Sequence, residues 1–116
     1  MGSVPTLRSR RDFARLQASG RARSDRLMVV RSVPNALGHD RFGISTSRRV
    51  GGAVTRNRIR RRIKELLRAS VDDSAALDVL IIVRPASSEA TFEELGSSLR
   101  HLLSSARSGH AAGAVT

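Results

Sequence analysis

The strongest chemical signal in the sequence is a run of cations between positions 56 and 68. The run contains one acid, Glu65, and seven bases: Arg56, Arg58, Arg60, Arg61, Arg62, Lys64 and Arg68. On a helix, like charges four positions apart repel each other and cost about 0.2–0.5 kcal/mol per pair. Guanidinium groups bind phosphate through paired hydrogen bonds. The run therefore predicts a helix whose polar face binds a polyanion.

The same segment contains apolar residues that can hold such a helix on a core. They recur at spacings that place them along one side of a helix: Val54, Ile59, Ile63, Leu66 and Leu67. We expect this stripe to pack inward, because packing is what stabilises a helix with so many like charges. Asn57 is uncharged and lies between two arginines, so its amide either caps a backbone group or bonds to the polyanion.

Residue types that serve catalysis or metal binding are sparse. His39, His101 and His110 share no ligand spacing, so we expect neither a protein-held metal nor a histidine-based nuclease site. Three aspartates fall at a linker and at the start of a strand: Asp72, Asp73 and Asp78. We interpret them as residues that end a helix and solubilise the chain, not as Mg²⁺ ligands.

The overall charge points to the same kind of partner. Lys and Arg number 21 against 10 Asp and Glu, a formal charge of +11 over 116 residues. Such an excess implies a nucleic acid or an anionic membrane as partner. No apolar run approaches the roughly 18 residues of a membrane span, and the N-terminus lacks the apolar core of a signal peptide. We therefore expect a protein that neither spans a membrane nor is exported, and the absence of cysteine is compatible with a cytoplasmic location.

Two pairs of capping residues mark the starts of further helices. Ser9 with Asp12 predicts a first helix near Arg10–Ala18, and Thr91 with Glu94 predicts a last helix that runs to about position 105. The last helix has an apolar stripe of its own: Phe92, Leu95, Leu99, Leu102 and Leu103. These helices and the basic helix fit a single domain over residues 1–116.

Outside the helices, three segments have the composition of strands: Leu27–Ser32, Arg41–Ser47 and Asp78–Val83. We expect the first two to form an antiparallel hairpin, and the third, a continuous apolar run, to be a central strand. A crossover through the basic helix should bring the third strand parallel to the second. The predicted fold is α+β, a small α-β sandwich with a mixed sheet. Residues 1–8 are predicted to be a flexible basic arm, 21–26 irregular and 106–116 a disordered tail.

The segment from Phe42 to Ile63, FGISTSRRVGGAVTRNRIRRRI, resembles the signature of the bacterial ribonuclease P protein subunit. A Ser-x-Ser strand end with two basic residues is followed by a glycine turn and by Arg-Asn-Arg at the start of a basic helix. Two flanking blocks agree: Arg11-Asp12-Phe13 with Gly20, and Val83-Arg84-Pro85 followed by Thr91 to Leu95. The resemblance extends from about position 7 to position 103.

This resemblance implies a fold and an activity. The family has a βαβ crossover of the rare left-handed kind and the ribosomal protein S5 domain 2-like fold. Its members join a catalytic RNA that removes the 5′ leader of precursor tRNA. The RNA subunit holds Mg²⁺ and performs the cleavage, and the protein alone is not catalytic. The implied partners are the catalytic RNA and precursor tRNA, with no membrane and no DNA.

The resemblance also assigns residues. The positions that match the surface facing the catalytic RNA are Arg56, Asn57, Arg58, Arg60, Arg61, Arg62 and Lys64. Those that match a cleft for the single-stranded leader are Phe13, Gln17, Ser45, Ser47, Arg48, Arg49 and Arg84. Phe13 is either a stacking platform or a core residue, and Arg84 either reaches RNA or caps the sheet edge. Gln17 and Arg31 replace aromatic residues that are frequent in the family, so we expect this cleft to depend more on charge and hydrogen bonding.

Two other functional classes fit parts of the sequence. A ribosomal or general RNA-binding protein would share the charge and the α+β fold, but would not prefer precursor tRNA over mature tRNA. A protein-only nuclease would need a carboxylate cluster, and the sequence contains no convincing one. A DNA-binding basic helix would be expected with a dimerisation seam, which is also missing.

Overall fold

The computed structural model describes residues 6–7, 9–19, 21–69 and 76–115. Within these ranges the helices are α1 (Arg10–Ser19), α2 (Ala53–Arg68) and α3 (Phe92–Val115). The strands are β1 (Arg21–Ser24), β2 (Met28–Pro34), β3 (Arg41–Thr46) and β4 (Leu77–Val83). Two short 3₁₀ turns, Arg48–Val50 and Pro85–Glu89, follow β3 and β4. The α+β prediction is confirmed.

The four strands form one mixed sheet in the order β1-β2-β4-β3. β3 pairs with β4 in parallel, with Phe42 opposite Val79, so the predicted crossover through α2 is confirmed. The predicted hairpin of β2 with β3 is wrong, because β4 lies between them and pairs antiparallel with β2. The physical reason is burial: β4 is apolar along nearly its whole length and is covered on both faces only as a central strand. The left-handed sense of the crossover stays a prediction.

The segment that contains β1 is predicted to be irregular, but β1 is a strand at the edge of the sheet, antiparallel to β2. Its residues are mostly exposed, so no apolar alternation marks it in the sequence. Its arginines bond to the far end of α3 instead. Arg23 Nε donates to Ser105 Oγ at 3.0 Å, and Arg21 Nη1 donates to the carbonyl oxygen of Gly109 at 3.0 Å.

The sheet is covered by helices on both faces. α2 and α3 pack on one face, where the largest core cluster includes Phe42, Ile63, Ile81 and Leu99. α1 packs on the other face through Leu16, which is fully buried with Leu7 and Leu80. The predicted helix starts are confirmed. Asp12 N donates to Ser9 Oγ, and Thr91 and Glu94 exchange reciprocal hydrogen bonds of 2.9 and 3.1 Å.

Both chain ends differ from the prediction. Thr6 bridges Phe42 on the outer edge of β3, and Leu7 N donates to the Phe42 carbonyl oxygen at 2.9 Å. This part of the predicted arm is therefore anchored, while residues 1–5 and 8 lie outside the described residues. The tail predicted to be disordered from residue 106 is helical in α3 up to Val115.

Polar contacts explain the extra length of α3. Arg107 Nη2 donates to the fully buried Asp40 Oδ2 at 2.8 Å, and His110 Nε2 lies 2.8 Å from Ser32 Oγ. Large apolar residues are rare after Ala106. The sequence pattern therefore suggests disorder, although buried polar partners hold the helix in place. The predicted linker residues Asp72, Asp73 and Ser74 lie outside the described residues.

Candidate nucleic-acid interface

α2 is anchored by one apolar face and presents the other to solvent. Ile59, Ile63 and Leu67 are at most 1% exposed, and Leu66 is partly buried. Val54 is predicted to belong to this stripe but is 82% exposed. At 3.6 residues per turn, Val54 lies about 140° from Ile59 and about 180° from Ile63 around the helix axis. α2 therefore has a narrower buried face than predicted.

The cations predicted to face the catalytic RNA lie on the remaining surface of α2. Arg58, Arg61 and Lys64 are exposed, whereas Arg56, Arg60 and Arg62 are partly buried. Arg58 Nη2 also donates to the Ser88 carbonyl oxygen at 3.3 Å, which fixes its direction across the turn after β4. These side chains therefore form a basic surface on a rigid support.

Asn57 is exposed in the interior of α2 and does not start the helix. The N-cap residue is Gly52, which has no side chain to bond the first N–H groups. The alternative in which Asn57 caps the helix start is therefore wrong. Its side chain is exposed, between the partly buried Arg56 and the exposed Arg58.

The residues predicted for the leader cleft are spread over the sheet face that α1 partly covers. Ser45 is opposite Ile82 in the β3–β4 register, on the same side of the sheet as Gly43. Three further residues lie exposed just beyond β3: Ser47, Arg48 and Arg49. Gln17 is exposed on α1, one turn after Phe13. Ser45, Ser47, Arg48 and Arg49 thus lie at or beyond the carboxyl end of β3, whereas Phe13 packs against Gly43 nearer the start of that strand.

Arg84 lies at the same end and fits both of its predicted alternatives. Its Nη1 donates to the Asp25 carbonyl oxygen at 2.9 Å, so it does cap the turn between β1 and β2. The residue is nevertheless exposed, and its side chain remains accessible to a ligand.

Phe13 is half buried and lies against β3 at Gly43. It also lines a groove of about 480 Å³ on the outer edge of β3, between α1 and α2. The groove is bordered by Leu7, Phe13, Gly43, Ile44, Arg60, Lys64 and Arg68. We call it the β3-edge groove. Sequence reasoning missed Leu7 and Gly43 as parts of a site, because nothing in their local pattern indicates which element lies beside them.

The interpretation of Asp78 as a solubilising residue is wrong. Its side chain is fully buried and accepts two bonds from Arg41, Nε to Oδ1 at 2.9 Å and Nη2 to Oδ2 at 2.7 Å. Arg15 of α1 and Asn35 Nδ2 bond to the same carboxylate. Burial by itself would raise the pKa of Asp78, but the bonds from Arg41 and Asn35 and the nearby arginine charges lower it below its ordinary value. The network attaches α1 to the sheet and so positions Phe13 and Gln17.

The described carboxylates and histidines do not form a metal centre. In the part of the chain that the structure describes, no three His, Asp or Glu side chains are grouped to hold a metal ion. Asp40 and Asp78 are occupied by arginines, and His110 lies against Ser32. These residues do not fit a protein-held Mg²⁺. Across the described ranges, no helix is both long and apolar enough to cross a membrane.

Comparisons with known proteins agree with this architecture over most of the chain. Residues 1–107 match the family model for Ribonuclease P. The ribonuclease P protein component of Clostridioides difficile (strain 630) is 35% identical over 94 residues, which cover 79% of this chain and 82% of that protein. The corresponding protein of Staphylococcus haemolyticus (strain JCSC1435) is 36% identical over 96 residues, covering 83% and 84%.

Solved structures give the same result. The Staphylococcus aureus RNase P protein superposes with a TM-score of 0.78 at 32% identity, covering 85% of this chain and 92% of that one. The Thermotoga maritima RNase P protein superposes with a TM-score of 0.75 at 28% identity, covering 84% and 94%. A ribosomal or general RNA-binding protein is not favoured by these matches. With the basic α2 on one face of the sheet and α1 on the other, the chain belongs to the ribonuclease P protein family and is the protein component of that ribonucleoprotein.

Proposed function

We propose that this protein binds the catalytic RNA of ribonuclease P through α2 and the 5′ leader of precursor tRNA through the sheet face beside α1. The RNA then cleaves the leader from the tRNA. The observation that carries this proposal is the basic surface of α2, held rigidly by Ile59, Ile63 and Leu67 beneath it. The proposal goes beyond family membership by assigning a surface to each RNA.

The α2 surface suits a folded RNA for electrostatic reasons. Each arginine that neutralises a phosphate releases a condensed counterion, so affinity should fall steeply with salt. The residues assigned to this contact are Arg56, Asn57, Arg58, Arg60, Arg61, Arg62 and Lys64. Of the acids near them, Glu65 is paired with Arg68 at 3.0 Å, so it neutralises little of the surface.

The sheet face beside α1 suits a single strand. It combines an aromatic ring against Gly43 of β3 with hydroxyl and guanidinium groups at and beyond the end of that strand, a combination that binds single strands through stacking and phosphate contacts. The residues assigned to this contact are Phe13, Gln17, Ser45, Ser47, Arg48, Arg49 and Arg84. The bonds from Arg15 and Arg41 to Asp78 support the assignment, because they hold α1 at a fixed position on the sheet.

We assign the chemistry of cleavage to the RNA. Its phosphates would hold the Mg²⁺ ions that activate water for hydrolysis, since the described carboxylates do not fit that task. The protein's cations supply part of the charge neutralisation that the folded RNA and its substrate otherwise take from metal ions.

Reconstitution tests this proposal. The full chain is combined with its cognate RNA and a 5′-labelled precursor tRNA, and cleavage is followed over a Mg²⁺ titration with mature tRNA as the binding control. We expect no cleavage by protein alone, cleavage by RNA alone at high Mg²⁺, and a lower Mg²⁺ midpoint when protein is added. Cleavage by RNA-free protein, or equal affinity of the complex for precursor and mature tRNA, would contradict the proposal.

A further inference from the structure

Two buried carboxylates lie back to back at the place where β3 and β4 begin. Asp40 directly precedes β3, Asp78 is the second residue of β4, and both residues are 0% exposed. Arg41 follows Asp40 in the chain and is opposite Asp78 in the parallel register. Because side chains alternate between the two faces of a strand, Asp40 faces α3 and Asp78 faces α1.

Each carboxylate holds one helix through an arginine. Asp40 Oδ2 accepts a hydrogen bond of 2.8 Å from Arg107 Nη2 of α3. Asp78 accepts hydrogen bonds from Arg15 of α1 and from Arg41, and we call these three residues the Asp78 cluster. The helices α3 and α1 lie on opposite faces of the sheet, yet they are bonded to neighbouring positions on the same two strands.

Asp40 is joined to the Asp78 cluster in two ways. Along the chain it is bonded directly to Arg41, whose guanidinium donates to both oxygens of Asp78 at 2.9 and 2.7 Å. Across the strands, Asp40 Oδ1 accepts a hydrogen bond of 2.8 Å from the backbone N–H of Leu77, the residue before Asp78. A shift of Asp40 therefore moves both strands of the cluster together.

Arg107 is the cation that is paired with Asp40, and its side chain is only 23% exposed. A buried carboxylate that loses its cation becomes an uncompensated charge, which is strongly destabilising. Without Arg107, the start of β3 has to move so that the Asp40 carboxylate can reach water. Because of the two connections to the Asp78 cluster, this movement reaches the bonds that hold α1.

We infer that Arg107 is a positioning residue for leader binding: it holds Asp40, and through Asp40 it fixes the Asp78 cluster that holds α1 beside the leader. Arg107 belongs to α3, on the face of the sheet opposite α1, so it acts without touching the leader. The inference rests on the proposed function and deepens it, since it adds a residue that sets affinity for the leader from the other side of the sheet.

Steady-state cleavage by the reconstituted holoenzyme tests this role. We expect Arg107→Gln to raise the KM for precursor tRNA about three- to tenfold, the range for residues that act on a site without contacting it. The kcat and the affinity for mature tRNA should stay unchanged, and Arg107→Lys, which keeps the cation, should recover part of the loss. An unchanged KM, or an equal loss of affinity for both RNAs, would overturn the inference.

Arg23→Gln is the matched control. It removes one positive charge and loosens the same end of α3, because Arg23 Nε donates to Ser105 Oγ at 3.0 Å, but that bond leads to β1 and not to Asp40. Its KM for precursor tRNA should equal that of the wild type. An equal rise of KM in Arg23→Gln and Arg107→Gln would mean that loosening α3 is enough, and Arg107 would have no positioning role.

A double-mutant cycle shows whether Arg107 acts through α1. Arg15→Gln breaks the Asp78 cluster at the α1 side. If the effect of Arg107 passes through this bond, the fold-changes in affinity for precursor tRNA will not multiply, and the double variant will bind like Arg15→Gln. Fold-changes that multiply fully would show that the two arginines act independently, which would overturn the inference.

A distance measurement in the free protein needs no RNA. The chain has no cysteine, so Ala18→Cys on α1 and Glu65→Cys on α2, both exposed, carry the only two spin labels. We expect the distance distribution between the labels to broaden in Arg107→Gln and to stay narrow in Arg23→Gln. If Arg107→Gln does not fold, Asp40→Asn tests the same bond, because it keeps the acceptor for the Leu77 N–H and removes only the charge.

The outcomes separate this inference from the proposed function. If the wild-type complex cleaves precursor tRNA while Arg107→Gln matches the wild type in KM and in label distance, the inference fails and the proposed function stands. If the wild-type complex shows no RNA-dependent cleavage, the proposed function fails and the role in leader binding fails with it. The label distances then still show whether Arg107 fixes α1 on the sheet.

Discussion

The ring of Phe13 on α1 lies directly against Gly43 of β3. A Cβ placed on Gly43 would be 3.0 Å from Phe13 Cζ and 3.1 Å from Cε1, closer than ordinary van der Waals contact. The missing side chain at Gly43 is therefore what allows α1 to approach the sheet at this position. Both the predicted leader cleft and the β3-edge groove depend on this contact, because Phe13 belongs to each.

The first prediction concerns this contact. Gly43→Val should displace the Phe13 ring and also meet Leu7 Cδ1, which a Cβ already approaches to 3.2 Å. We expect the free energy of unfolding to fall by about 1–3 kcal/mol, the usual cost of overpacking, and the affinity for precursor tRNA to fall with it. Urea denaturation and a binding titration measure the two effects.

Gly52→Ser is the matched control for a side chain added to a glycine. No atom lies within 4 Å of a Cβ at Gly52, and serine is a better N-cap than glycine, so stability should be unchanged or rise by a few tenths of a kcal/mol. If Gly43→Val were as stable as the wild type, the close approach of Phe13 would not constrain α1.

The second prediction concerns the position where this sequence lacks a second aromatic residue on α1. Gln17 is exposed one turn after Phe13, so Gln17→Phe adds a stacking surface beside the proposed leader. We expect tighter binding of precursor tRNA by up to about 1–3 kcal/mol, the range for stacking a base on an aromatic side chain. Binding of mature tRNA should not change, and fluorescence titrations of both RNAs measure the difference.

Ala18→Phe serves as the control, because it adds the same ring to an exposed site on another side of α1. It should leave the preference for precursor tRNA unaltered. Equal gains for Gln17→Phe and Ala18→Phe, or equal gains for both RNAs, would remove the leader from this side of α1.

The third prediction concerns the salt dependence of RNA binding by α2. Replacing Arg56, Arg58 and Arg62 together by alanine removes like charges without touching the buried stripe, so the fold should persist. The log–log dependence of affinity on salt should flatten by about 0.7–0.9 for each phosphate that the variant no longer neutralises. Filter binding to the catalytic RNA over a salt series measures the slope, and circular dichroism monitors the helix.

The control variant has the same net charge but replaces three exposed arginines outside α2 by alanine: Arg10, Arg26 and Arg100. That variant should keep a slope close to that of the wild type. The same slope in all three proteins would show that the α2 arginines do not contact phosphate.

The fourth prediction concerns the pH dependence that Asp78 imposes. Its pKa in the folded protein is below the unfolded value of about 3.9, so its stabilisation is fully present above that value and is lost as pH falls through the folded pKa. Asp78→Asn leaves the partners Arg41 and Arg15 without their anion. Because both arginines are partly exposed, the cost at neutral pH should lie near the lower end of about 3–5 kcal/mol.

Denaturation of both proteins at several pH values tests this. The stability difference between wild type and Asp78→Asn should be constant from about pH 5 to pH 8 and should shrink below about pH 4. A difference that grows on acidification would mean that the carboxylate is not held ionised by its arginines.

The sequence alone determined the elements whose causes are local. The position and type of α2 follow from its apolar spacing, and the starts of α1 and α3 follow from Ser9 and from the Thr91–Glu94 pair, whose hydrogen bonds span three positions. β4 is recognisable as a central strand because its apolar run is too short for a helix and leaves no solvent face. The charge that favours RNA is also a property of composition.

The tertiary structure decided which distant segments meet. Arg15, Asn35 and Arg41 bond to Asp78 from 63, 43 and 37 positions away, and no local pattern identifies that carboxylate as their common partner. The position of β4 between β2 and β3, the inclusion of β1 in the sheet and the extension of α3 past residue 106 have the same origin. In each case the stabilising contact is a buried partner or a neighbouring strand far along the chain. The β3-edge groove exists only because these long-range contacts bring Phe13 from one face of the sheet and the α2 cations from the other to the outer edge of a terminal strand.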